Sequence, residues 1–147
     1  MSNFVIVSRH EGAVKWLAQC GITGPVISGN ATPDDVRGKV IVGNLPLHLA
    51  ALSARVGSID MPALRPDQRG ADLTPAEMDA AGASINWYVV RSVEAIESQI
   101  AEAEADARAI DRASDSAEDM EIGAYLKGRA GEERGKARAL RALLGGK

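Results

Sequence analysis

The 147-residue chain has a single cysteine, two histidines and only 3% aromatic residues. Cys20 alone excludes an internal disulfide, and with His10 and His48 it makes a poor donor set for a protein-built zinc site. Positive charge is not in excess. Lys and Arg number 17 against 20 Asp and Glu, a formal net charge of -3, which argues against a dedicated duplex nucleic-acid binder, because phosphate neutralisation needs a basic face. No apolar run approaches the roughly 18–20 residues of a membrane span, and MSNFVIVSRH lacks the order of a signal peptide, so a cytoplasmic protein with no membrane partner is expected. Neither G-x-G-x-x-G after the first strand nor G-x-x-x-x-G-K-[ST] is present, which removes the hydride-cofactor and nucleotide-triphosphatase readings. No metal or other cofactor is expected.

What is there divides near residue 91. Four of the five aromatic residues precede the divide, whereas 12 of the 20 acids and 9 of the 17 bases follow it. In 1–91, short β-branched runs read as strands: FVIV (4–7), PVIS (25–28), KVIVG (39–43), SIDM (58–61) and SINWYVV (84–90). Between them EGAVKWLAQCG, LPLHLAALSARVG and TPAEMDAAGA have helical spacing, with a short helix after the second strand. The order predicts an α/β domain with a mainly parallel sheet flanked by helices. Thr74-Pro75-Ala76-Glu77 and Thr32-Pro33-Asp34-Asp35 carry the hydroxyl, proline and carboxylate of a capping box, and Gly21, Gly57 and Gly82 stand where a left-handed residue closes a helix. Residues 62–73 read as an exposed connection. Trp16 reads as core with Val14 and Leu17, and Cys20 as a buried small hydrophobe late in a helix.

From 92 to 147, Val93, Ile96, Ile100, Ala103, Ala107, Ile110, Ser114 and Ala117 recur at alternating spacings of three and four, the signature of a helix–helix seam. Residues 94–121 hold ten acids and two bases, and 127–147 hold seven bases and two acids, so an antiparallel helical hairpin would pair opposite charges. Gly123, Gly128, Gly131 and Gly135 weaken the second arm by about 1 kcal/mol each in a helix interior.

In a parallel α/β sheet, ligands bind beyond the carboxyl ends of strands, where helix N-termini favour anions. Two turns qualify. At Ser8-Arg9-His10 a strand gives way to a helix, bringing together a hydroxyl, a phosphate-clamping guanidinium and an imidazole that can carry a proton. The alternative is that Ser8-x-x-Glu11 forms a capping box, with Arg9 and His10 solvated. At Gly43-Asn44-Leu45-Pro46-Leu47-His48, glycine permits close backbone approach, Pro46 suits a first helical position and Asn44 would face a ligand. Here the alternative is that Asn44 caps the helix and His48 is partly buried inside it. If the first and third strands run parallel, both turns converge on one anionic ligand.

VSRHEGAVKWL (7–17), VIVGNLPLHLAA (40–51) and RGADLTPAEMDAAGA (69–83) resemble the small stand-alone CRISPR-associated proteins of type III systems, which consist of little more than a minimal CRISPR-associated Rossmann-fold domain. The resemblance covers residues 3–91 and leaves the helical extension outside. It implies a Rossmann-like fold and a ring nuclease that cleaves cyclic oligoadenylate, chiefly cyclic tetra-adenylate, without metal. The 2′-hydroxyl would attack the adjacent phosphorus, giving linear di-adenylate with a 2′,3′-cyclic phosphate and switching off type III signalling. The ring would lie across the two-fold axis of a homodimer or higher homo-oligomer. Arg9, His10 and Ser8 are then the catalytic candidates, and Gly43, Asn44, Leu45, Pro46 and His48 the substrate-binding ones. Two other readings stand beside it: a receptor that captures the same messenger without cutting it, and an oligomerising adaptor that works through its C-terminal helices.

Overall fold

The computed structural model describes residues 4–145. They fall into two compact units, divided between Arg91 and Ser92.

The first unit is a five-stranded sheet in the order β2-β1-β3-β4-β5, built from β1 (Phe4–Val7), β2 (Val26–Ile27), β3 (Val40–Gly43), β4 (Arg55–Asp60) and β5 (Ser84–Tyr88). The first four strands run parallel and β5 is antiparallel to β4. This mostly parallel sheet with flanking helices is the Rossmann-like α/β arrangement that the strand–helix alternation predicts. Alternation along the central strands sends side chains to two cores. Ile6 and Val42 pack with Trp16 and Leu17 of α1 (Glu11–Gln19) and Met78 of α4 (Pro75–Ala80). Val5, Ile41 and Val56 pack on the other face with Val36 of α2 (Pro33–Val36) and with Leu49 and Ala50 of α3 (Leu47–Ala50). With β2 on one side of β1 and β3 on the other, the order in which strands are added to the sheet reverses between β1 and β3, which makes their carboxyl ends a topological switch point.

Local chemistry sets most boundaries. Thr32 and Thr74 both form reciprocal capping boxes, and Gly21 and Gly82 close α1 and α4 at φ of 78° and 73°. Trp16 is buried, and its indole N–H donates to Asp79 at 2.7 Å. Three expectations change. Gly57 caps no helix: β4 begins at Arg55, and α3 is a single turn ending at Ala50. Parallel pairing of Val40, Ile41 and Val42 with Arg55, Val56 and Gly57 outweighs the helical spacing of that stretch. Gly57 lies opposite Trp87, where a Cβ would stand 3.0 Å from the ring, and the Arg55 guanidinium stacks 4.6 Å from the same ring. Cys20 is exposed as the C-cap of α1 rather than buried. Residues 62–73 are not wholly a surface connection, since a 3₁₀ turn at Pro66–Gln68 leads to Leu73, which is buried in the α1/α4 core.

The second unit is two helices, α5 (Val93–Asp115) and α6 (Met120–Leu143), capped by the Ser92 hydroxyl and the Asp119 carboxylate. Ile100 and Ala103 of the seam pack with Ala137, Ala107 and Ser114 are buried as well, the Ser114 hydroxyl donating to the Gly123 carbonyl at 2.8 Å, and Val93 is exposed. Arg134 pairs with Asp111 and Arg141 with Glu104, each at 2.6 Å, the antiparallel charge match read from composition. The glycines do not interrupt α6, because packing of its small-residue face on α5 outweighs their propensity cost. Among the described residues, no helix is long and apolar enough to cross a membrane.

Candidate functional site

The carboxyl ends of β1 and β3 lie side by side, with Val7 paired to Gly43. Gly43 has φ of 136°, and a Cβ there would stand 2.0 Å from the Val7 carbonyl oxygen. Only glycine fits there, because a side chain would collide with the Val7 backbone.

A cleft of about 500 Å³ fills this switch point. Its apolar side is formed by Ala13, Leu17, Val42, Ile59, Met61 and Met78. Its polar side comes from three strand ends: Ser8, Arg9 and His10 after β1, Asn30 after β2, and Gly43 at the end of β3 with Asn44 after it. The parallel pairing of β1 and β3 thus brings together five of the residues singled out in the sequence. Leu45, Pro46 and His48 are not among the cleft's lining. Beyond Asn44 the chain crosses to the opposite sheet face, where Leu45 packs in the α2/α3 core and Pro46 forms the N-cap of α3. His48 is exposed rather than partly buried, and Pro46 rather than Asn44 occupies the cap.

The first turn is not a Ser8–Glu11 capping box either. The N-cap of α1 is His10, so Glu11 is the first helical residue and stands one turn from Lys15, 3.4 Å away. Ser8 instead accepts the His10 N–H at 3.1 Å through its hydroxyl, a local turn that sets Arg9 and His10 at the mouth of the cleft. Arg9 is exposed, and the His10 side chain is about half exposed.

Two polar residues escaped the sequence reading. Asn30 follows the strand read at PVIS (25–28), and the strand-end rule that selected Asn44 applies to it equally, but only the turns after the first and third strands were singled out. Asp72 lies in the stretch read as an exposed connection. Its Oδ1 accepts the Gly12 main-chain N–H at 2.9 Å, so a donor at the α1 N-terminus expected to face ligand phosphate is already engaged. The same oxygen stands 4.0 Å from His10 Nδ1. Among the described residues, no three His, Cys, Asp or Glu side chains gather as a metal's donor set.

The cleft thus offers apolar side chains together with two amides, a hydroxyl, a guanidinium and an imidazole. Such a site suits a small molecule that combines a heteroaromatic ring with an anionic group.

Residues 5–91, more than half of the chain, match the model of a family described as "Putative CRISPR-associated protein (Cas_VVA1548)". No curated protein and no solved structure gives a significant match.

Proposed function

The chain belongs to that CRISPR-associated family, and from this premise we propose that it binds cyclic oligoadenylate and cleaves it as a ring nuclease. The observation that carries the reading is the convergence of Ser8, Arg9, His10 and Asn44 on one cleft at the β1/β3 switch point. Adenine is a flat heteroaromatic ring and suits the apolar side of the cleft, while Arg9 suits the adjoining phosphodiester. A volume of about 500 Å³ takes only part of a four-nucleotide ring. A second copy related by a two-fold axis would supply the remainder, each cleft holding one half of the symmetric ligand.

In the proposed reaction a ribose 2′-oxygen bonds to the adjacent phosphorus as the P–O5′ bond breaks in line. One proton leaves the 2′-hydroxyl and one reaches the departing 5′-oxygen, so the products are a 2′,3′-cyclic phosphate and a free 5′-hydroxyl. Arg9 balances the charge that builds on the non-bridging oxygens, and His10 is the titratable group of the cleft that moves a proton. Ser8 and Asn44 orient the sugar–phosphate, and holding the attacking oxygen in line supplies much of the rate.

The test is incubation of the purified full chain with cyclic tetra-adenylate in excess EDTA, with chromatographic separation of ring and linear products. Wild type is expected to yield linear di-adenylate ending in cyclic phosphate. Arg9→Ala and His10→Ala are each expected to slow turnover by roughly a hundredfold, the usual scale for one charge-stabilising or proton-transfer group. Intact ring that co-elutes with the protein would replace cleavage by capture. A ring that neither binds nor breaks would refute the reading.

A further inference from the structure

Asp72 is 60 residues from Gly12 in sequence, yet its carboxylate is fixed on the turn that carries His10. Two anchors hold it there. Leu73 is buried in the α1/α4 core, and its carbonyl oxygen lies only 1.6 Å from where a Cβ on Gly12 would be, so the two backbones pass at a distance that only glycine allows. Thr74 then starts α4 through its capping box with Glu77. An acid placed only to solubilise a loop would not need a close main-chain crossing, a buried leucine and a hydrogen bond to a helix N-terminus.

We propose that Asp72 is a positioning residue for His10: its carboxylate faces Nδ1, holds the proton on that nitrogen and leaves Nε2 as the atom that meets the ligand. The proposal rests on the ring-cleavage reading for its kinetic consequence and on the contact between Asp72 and His10 for its geometry. The distance of 4.0 Å between Asp72 Oδ1 and His10 Nδ1 is longer than a hydrogen bond, and contacts of this kind tighten when substrate fills a site. With Nδ1–H turned to the carboxylate, the Nε2 lone pair takes the 2′-hydroxyl proton as the P–O2′ bond forms and the P–O5′ bond breaks. The leaving 5′-oxygen takes a proton from water, and the imidazolium, stabilised by Asp72, returns its proton to solvent.

The experiment has a readout that needs no activity. In the 15N-labelled full chain near pH 8, without ligand, the imidazole nitrogen shifts of His10 report its tautomer, with exposed His48 as the internal reference. His10 is expected to be enriched in the Nδ1–H form relative to His48, and Asp72→Ala is expected to abolish that enrichment. If Asp72→Ala does not fold, Asp72→Asn keeps an oxygen for the Gly12 N–H while removing the charge, and the enrichment should still fall. Equal tautomer ratios for the two histidines in wild type, or an unchanged His10 in the variant, would overturn the proposal. With cyclic tetra-adenylate, Asp72→Ala should lower kcat by at least about tenfold with KM within about twofold, and adding it to His10→Ala should cost nothing further. Losses that multiply in the double variant would show that Asp72 acts through the fold rather than through His10. Should wild type leave the ring intact, the cleavage reading fails, and the tautomer measurement still decides whether Asp72 orients His10.

Discussion

Gly43→Ala tests whether the close approach of β1 and β3 both builds the cleft and holds the sheet together. An alanine Cβ would stand 2.0 Å from the Val7 carbonyl oxygen, where ordinary contact begins near 3.4 Å, so the strand ends must part by about 1.4 Å. The residue would also have to hold φ of 136°, which L side chains rarely adopt. Such backbone strain costs on the order of 1–3 kcal/mol, and forced overpacking adds about 1–3 kcal/mol. Partial relief by movement of Val7 brings the expected loss to about 3 kcal/mol, roughly a hundredfold in the folded-to-unfolded ratio. Urea unfolding followed by tryptophan fluorescence is the assay, because Trp16 and Trp87 both lie in the first unit. Gly29→Ala is the control. Gly29 lines the same cleft, but a Cβ there meets nothing within 4 Å, so the change should stay within about 0.5 kcal/mol. A Gly43→Ala protein as stable as the Gly29→Ala protein would refute the reasoning.

Three further outcomes are expected. Alanine at Gly128, Gly131 and Gly135, where a Cβ meets only open space, should stabilise α6 by about 1 kcal/mol per site, read as a rise in the midpoint of the helical circular-dichroism transition. Asp79→Ala removes the acceptor of the buried Trp16 indole N–H and should cost the first unit about 1–3 kcal/mol in the tryptophan-monitored assay; a neutral result would mean that water replaces the carboxylate. Glu77 accepts the Thr74 main-chain N–H and hydroxyl, which hold its carboxyl below the usual glutamate range, and Asp35 is lowered likewise by the Thr32 hydroxyl and main-chain N–H. A depressed folded-state value means that the contribution to stability is complete above the unfolded value and is lost as pH falls through the folded one. Acid unfolding of the first unit should therefore steepen below about pH 4, and Glu77→Gln should flatten that slope in a pH-dependent urea series.

The alternation of apolar runs with helical spacing was enough to read the α/β class, because period-2 and period-3.6 patterns follow from backbone geometry alone. Capping at Thr32 and Thr74 was equally legible, being chemistry within four residues. The hairpin seam and its charge match were legible too, since a long amphipathic helix writes its packing face into its spacing. Arg55–Gly57 was misread as helix because parallel pairing with β3, absent from any local window, decides it. The Ser8–Glu11 pattern was compatible with two helix starts, and the position of His10 against Asp72 and Gly12 selects the later one.

Residue chemistry at strand ends by itself determined that Ser8, Arg9, His10, Gly43 and Asn44 were candidates for a single site, because the carboxyl edge of a parallel sheet is where helix N-termini and free strand ends meet. Only the tertiary structure decided which residues line the cleft. It turned Leu45 and His48 away as the chain crossed the sheet, brought in Asn30 from a strand of two residues, and set Asp72 on the turn that carries His10. Contacts between residues 60 positions apart depend on how two elements pack, and no spacing rule along one element encodes that.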